Sequence, residues 1–396
     1  MFVDEVKKEL NSHIIPFWMS LKDDVNGGYY GYMDYDLNLF VEASKGVILN
    51  SRITWFFSNS YMRIKNEKLL ACARHGYEFL RDKCIDKKNG GVYWGMDYKG
   101  NPIDTTKHTY NQAFAIYALC AYYEASGEKE ALELAMNIYD LIEEKCTDEY
   151  GYLEAFTVDF KPESNEKLSE NGVMAEKTMN TLLHVLEGYT QLYKVSQSEK
   201  VKKSIYWILD IFETKVYNPA LKRQEVFFDK TYNSIIDLHS YGHDIETAWL
   251  VDRTLEILED PEIENRLNEI TKELTEQTYK VAFNGKSFAN ECEKGIVDGN
   301  SVWWVQAEAV VGFINGWQKT GELKYLDAAM ALWDYIKEKL IDKREGSEWY
   351  WLLDEEGNPV EGKPIVEPWK CPYHNGRMCF EVMDRFKEGK GECIDA

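Results

Sequence analysis

The 396-residue sequence predicts an all-α fold, an (α/α)6 barrel of about twelve helices with short β-hairpins at one rim. Three observations carry this expectation. A turn-plus-aromatic motif recurs six times, long helical segments fill the intervals, and no low-complexity linker divides a chain with only 9 prolines.

The motif is clearest as NGGYYGYMDYD from Asn26 and NGGVYWGMDYKGNP from Asn89. It weakens to YGYLEAFTVDF from Tyr150, RQEVFFDKTYN from Arg223 and a poor copy, NGKSFANE, from Asn284. It returns as EGSEWYWLLDEEGNP from Glu345. With Gly28, Gly91, Gly151, Gln224, Lys286 and Ser347 as markers, the steps are 63, 60, 73, 62 and 61 residues. Asn-Gly or Gly-Gly followed by alternating aromatics predicts short hairpins.

Between hairpins, VILNSRITWFFSNSYMRI, KHTYNQAFAIYALCAYYEAS and KTMNTLLHVLEGYTQLYKV repeat apolar residues every three or four positions, as helices do. DIETAWLVDRTLEIL, WWVQAEAVVGFINGWQKT and YHNGRMCFEVMDRF do the same. A more polar second helix fills most intervals, for example KEALELAMNIYDLIEEK. Six inner helices ringed by six outer ones close this pattern. An open solenoid is the alternative, and hairpins gathered at one edge favour the barrel. One domain over residues 1–396 is expected, with the acidic tail after Arg385 loosely held.

Hydrophobic residues at 44% and charged residues at 29% fit a globular enzyme and exclude wholesale disorder. The net charge of -22 repels phosphate backbones and argues against nucleic acid as a partner. The opening MFVDEVKKELNSHIIPFW lacks a signal-peptide layout, and no long apolar run predicts a membrane span. The eight cysteines form no Cys-x-x-Cys pair and read as reduced, mostly buried thiols. A soluble, cytoplasmic monomer follows. No Walker or Rossmann pattern is present, so no nucleotide cofactor is expected. The 14% aromatic content fills cores first and leaves rings for a sugar site.

Several polar residues sit in strongly apolar helices, where burial without a partner costs about 2–7 kcal/mol. Arg52 either faces a cavity, as a cation near a developing oxyanion, or joins a buried ion pair. Asn180 and His184, four apart, share a helix face. His184 reads equally as a site residue or a satisfied core histidine. His243 follows Gly242 at a helix entrance expected to begin at Asp244, with Glu246 three residues on and able to reach its imidazole, and Trp249 one turn further. His239 and His243 have zinc-ligand spacing only if one helix carries both; Gly242 makes that doubtful, and no metal is expected. Trp304 and Glu308 share a face, either as core residues or as part of a site. Pro372 places His374 at another helix entrance, near Trp369. His13 and His75, in charged stretches, read as exposed, and His108 is left open.

At these residues the chain resembles the N-acylglucosamine 2-epimerase superfamily, and within it the members acting on β-1,4-linked disaccharides. The likeness runs nearly end to end, through HIIPFW, KGVILNSRITWF, KHTYNQAFAIYAL, ENGVMAEKTMN, HSYGHDIETAWL, VWWVQAEAVVGF, IDKREGSEWY and PWKCPYHNGRMC. It implies an (α/α)6 barrel and cofactor-free epimerisation at C2 of a reducing-end glucose or mannose, in cellobiose, mannobiose, lactose or related oligosaccharides. It also implies roles: His243 and His374 as the acid–base pair, and His184 with Asn180 in ring opening. Arg52 and Tyr110 would contact the oxygens at C1 and C2, and Glu246 would tune His243. Trp249, Trp304, Glu308 and Trp369 would shape the sugar subsites. Three other readings stay open: an aldose–ketose isomerase, an inverting glycosidase using paired carboxylates, and a sugar-binding module without turnover.

Overall fold

The computed structural model of the chain describes residues 1–387. The tail expected to be loosely held lies, beyond Lys387, outside the described residues.

The N-terminal segment is helical as α1 (Phe2–Glu9) and α2 (Ile15–Ser20), joined by the π-turn Leu10–Ile14. Helices then alternate between two classes. Five are 18 residues long and almost wholly buried: α3 (Val47–Ile64), α5 (Thr109–Ser126), α7 (Met179–Ser196), α9 (Tyr241–Leu258) and α11 (Trp303–Thr320). The shorter α13 (His374–Arg385) joins them. The other class buries one face only: α4 (Glu67–Phe79), α6 (Lys129–Lys145), α8 (Glu199–Ile211), α10 (Pro261–Val281) and α12 (Leu323–Tyr335). A helix apolar all round must be surrounded, and an amphipathic one can face water. The packing follows. α3, α5, α7, α9, α11 and α13 touch in that order and α13 returns to α3, closing the inner ring. Each is backed by an outer helix: α4, α6, α8, α10, α12 and, for α13, α1. This is the expected (α/α)6 barrel, and its core runs from Val6 to Val382.

The expected short hairpins form at the rim, as Gly95–Met96 with Pro102–Asp104 and Glu291–Glu293 with Ile296–Asp298, and a second set of pairings joins the steps. The short strand before each of the first five inner helices pairs antiparallel with the motif strand of the next step. Lys107–His108 pairs with Ala155–Phe156, and Lys177–Thr178 with Phe227–Phe228. A bridge between Met33 and Val366 joins the first step to the last. The strands therefore stitch neighbouring steps into a belt.

Two repeated polar devices fix that belt. The fourth residue of an inner helix accepts a backbone N–H from a motif strand: Asn50 from Tyr29 at 2.9 Å, Gln112 from Val92 at 2.6 Å, Gln306 from Phe288 at 3.0 Å. This explains the second glycine of the motif. Gly28 and Gly91 have φ of +66° and +68°, and a Cβ on either would stand 2.7 or 2.6 Å from the clamping oxygen of Asn50 or Gln112. The second device is a buried lysine just before the helix, paired with a turn carboxylate: Lys45–Asp23 at 2.6 Å, Lys107–Asp86 at 3.0 Å, Lys177–Asp148 at 3.0 Å and Lys370–Glu348 at 2.6 Å. These polar residues need burial because each satisfies backbone or charge that the rim also buries.

His13 and His75, expected to be exposed, are half-buried instead. His13 bridges Glu9 and the carbonyl of Ser347, tying the first outer helix to the last step, and His75 bonds the carbonyl of Gly28. His108 is buried against Asn165 at 2.9 Å. Burial lowers it to about 4, opposed by the Asn165 hydrogen bond, and it serves the rim. The seven described cysteines are free, and all but Cys292 are buried. No described helix is long and apolar enough to cross a membrane.

Candidate active site

Every inner helix runs away from the rim, so six helix N-termini converge at one end of the barrel, where partial positive charge favours anions. The repeat register decides what points inward. Seven residues after Lys45, Lys107, Lys177, His239, Ser301 and Lys370 stand Arg52, Phe114, His184, Glu246, Glu308 and Arg377. They form a linked layer. Arg52 lies 4.2 Å over the Phe114 ring, Phe114 is 4.9 Å from His184, and Arg377 binds both Glu246 and Glu308. Four residues after His239 and Lys370 come His243 and His374, in matching places of two repeats.

Above this layer lies a cavity of about 400 Å³. Its wall includes Arg52, Tyr110, Asn180 and His184 from α3, α5 and α7. His243, Glu246, Trp304, Trp369 and His374 complete the working part. His243 is the third residue of α9, which begins at Tyr241, three residues before the expected Asp244. Gly242 belongs to the first turn because the Trp304 ring packs there; a Cβ would meet it at 2.6 Å. His239 sits on a rim strand, not on the helix, and pairs with Asp244. His374 opens α13. Trp304, on the helix between α9 and α13, has His243 at 4.8 Å and His374 at 5.3 Å between ring centroids.

Both histidines are neutral. Burial, aided by His184, lowers His243 to about 3. Burial, then Arg377 and Arg52, holds His374 well below its ordinary value. His374 Nδ1 donates to Glu308 at 2.7 Å, leaving Nε2 as a base. His243 Nδ1 meets the Ser240 hydroxyl at 2.7 Å. His184 Nδ1 faces Glu187 at 3.0 Å.

Arg52 is buried and has no carboxylate partner among the described residues. It donates to the Tyr110 hydroxyl at 2.8 Å and lies over the Phe114 and Tyr373 rings. The ion-pair alternative therefore gives way to an available cation at the cavity. Burial keeps the Tyr110 phenol protonated. Asn180 Oδ1 and Glu246 Oε2 are buried without hydrogen-bond partners among the described residues.

A profile of the N-acylglucosamine 2-epimerase family matches residues 28–375. A cellobiose 2-epimerase of Ruminococcus albus is 50% identical over 97% of this chain and 99% of its own. One from Eubacterium cellulosolvens is 51% identical over 96% and 97%. A solved sugar epimerase from a ruminal bacterium superposes with a TM-score of 0.97 at 50% identity, covering 98% of this chain and 100% of that one. The chain belongs to the N-acylglucosamine 2-epimerase family. It is a carbohydrate epimerase.

Within this epimerase, three expected positions are corrected. Glu246 does not reach His243; its Oε1 is taken by Arg377 across the barrel, and it lies 4.0 Å from His374 Nδ1. Trp249 and Glu308 do not wall the cavity. Both are fully buried behind His374, where the Trp249 indole donates to Glu308 at 2.9 Å. Helical spacing gives a shared face but not its depth. Ser240, Glu187 and Arg377 were missed. The signal for Arg377 was the register: it stands seven after Lys370 as Arg52 stands seven after Lys45.

Glu246, Glu308 and His374 bring possible ligand atoms within 4.8 Å of one another. Arg377 Nη2 already lies between the two carboxylates, supplying the positive charge a cation would bring.

Proposed function

We propose that this epimerase inverts C2 of the reducing-end glucose or mannose in β-1,4-linked disaccharides such as cellobiose, mannobiose and lactose. The observation that carries this reading is the pair of neutral imidazoles at the cavity, His243 and His374, 4.8 and 5.3 Å from the Trp304 ring. C2–H becomes acidic once the ring opens to an aldehyde, and a base active near neutrality can then remove it. The Nε2 of one histidine takes the proton and leaves an enediolate. The other takes up a solvent proton at its own Nε2 while the enediolate persists and delivers it to the opposite face; the first ring then gives its proton to solvent, restoring two neutral imidazoles. Arg52 and the Tyr110 hydroxyl receive the charge on the C1 and C2 oxygens, where one lost donor costs about 3–4 kcal/mol. The helix N-termini act in the same sense. His184 and Asn180 face the sugar to open the ring, moving a proton from O1 toward O5. Trp304 and Trp369 offer flat apolar surfaces to pyranose C–H faces.

The proposal takes residues 1–396 as one catalytic domain, a cytoplasmic monomer working without metal or cofactor. Its support is the set of unpaired thiols, the large negative charge, and the guanidinium between the site carboxylates. Cellobiose turned over in heavy water should acquire deuterium at C2 of the epimer, with and without chelator. Label at C1 of a ketose, loss of activity with chelator, or full activity in both His243→Ala and His374→Ala overturns it.

A further inference from the structure

We infer that Arg377 is a positioning residue that orients His184 and His374 as one unit, holding Nδ1–H of each ring toward a carboxylate and Nε2 toward the sugar. The inference rests on the proposed reading of both rings as groups that act on sugar.

Arg377 is 1% exposed, and its fork reaches carboxylates on three helices, with Glu246 on α9 sharing Nη2. Nη1 donates to Glu187 Oε1 at 2.5 Å, and Nη2 donates to Glu308 Oε1 at 2.7 Å. Glu187 holds His184 Nδ1 through its other oxygen, and Glu308 holds His374 Nδ1. Tyr373 donates to Glu187 and stacks under the guanidinium, 4.3 Å from ring to Cζ. Burial works against charge on Glu187, but Arg377 and His184 hold it at about 2. An ionised carboxylate only accepts, so His184 Nδ1 must donate. Glu308 is raised by burial, opposed by Arg377 and Trp249, two groups that can only donate; with these holding its oxygens as acceptors, His374 Nδ1 is the donor in their contact. Arg377 Nε has no partner among the described residues, so the two arms carry the connection. A planar fork can span two carboxylates in fixed directions, whereas a lysine ammonium is a single point charge.

The charged and titratable groups facing His374 come from every side: Glu308 on α11, Glu246 and His243 on α9, Arg52 on α3, His184 on α7, and Arg377 on its own helix. Of these, Arg377 both neutralises Glu308 and opposes an imidazolium. Replacing it by lysine loosens both effects.

The test uses the full-length enzyme, wild type, Arg377→Lys and Glu187→Gln. Long-range 15N–1H spectra of sugar-free wild type should show His184 and His374 as single Nδ1–H tautomers. In Arg377→Lys both rings should leave that state together. In Glu187→Gln the His374 signals should move with those of His184, a readout that survives if the lysine variant does not fold. For Arg377→Lys, kcat should fall on the order of 10²-fold with KM little changed, and the acid limb of kcat/KM should move to higher pH. A His374 spectrum unmoved in Glu187→Gln, or an unshifted acid limb in a folded Arg377→Lys, overturns the inference. If the spectra behave as expected but His374→Ala keeps full turnover, the functional reading fails and the coupling stands.

Discussion

His243 and His374 occupy the same place in two repeats, four residues past the rim, and each packs against the Trp304 ring. Their anchors differ. His374 leans on a carboxylate, Glu308, itself fixed by Arg377 and Trp249; His243 leans on a hydroxyl, Ser240. A carboxylate fixes one tautomer and stabilises the imidazolium that forms when the base takes a proton. A hydroxyl can donate or accept and brings no charge. The pair is thus symmetric in position and asymmetric in its anchors, with only His374 backed by a carboxylate.

The largest effect should come from breaking the carboxylate side. Glu308→Gln keeps the shape but can present N–H₂ to His374 Nδ1, which drives the proton to Nε2 and removes the base. By the logic of an orienting carboxylate, kcat should fall about 10³-fold or more. Steady-state kinetics on cellobiose checks this, and a loss under tenfold would remove the asymmetry.

A middle-sized effect should appear as pH dependence. Burial, together with Glu308, raises Glu246 to about 7. Above that pH it is a carboxylate 4.0 Å from His374 Nδ1; below it, protonation removes one of two negative groups that strengthen His374 as a base. The sign follows: kcat/KM should rise as pH climbs through about 7, giving an acid limb there. Neither histidine supplies that limb, since both stay neutral. Glu246→Gln should lower activity and abolish the limb. A limb unchanged in the variant would assign it elsewhere.

Much of this site was legible in the residues. Arg52, Tyr110, Asn180, His184, His243, Glu246, Trp304, Trp369 and His374 all reach the cavity. Polar groups in wholly apolar helices had few other places to go. What stayed hidden depends on depth and on contacts across the ring. Trp249 and Glu308 share a face with cavity residues but lie one layer below. Glu246 sits one turn from His243, yet its partner is 131 residues away on α13. The sixfold step was visible, whereas pairing of each rim strand with the next step was not, because two-residue strands carry no periodicity.

The smallest effect sharpens the comparison from the other side. Ser240→Ala removes the hydroxyl from His243 Nδ1 but leaves no buried charge unpaired, and Ser240 borders the cavity, so water can take its place. A neutral hydrogen bond of this kind contributes about 1 kcal/mol, which corresponds to a five- to tenfold loss in kcat/KM. Ser240→Thr should restore most of it by returning the hydroxyl. In heavy water the alanine variant should slow deuterium transfer to the face served by His243 while exchange through His374 continues. Cellobiose and its epimer would then differ in how much label the unreacted sugar acquires. Equal slowing from both sugars, or a loss as deep as that of Glu308→Gln, would show that the hydroxyl anchor is as demanding as the carboxylate and that the two bases are equivalent after all.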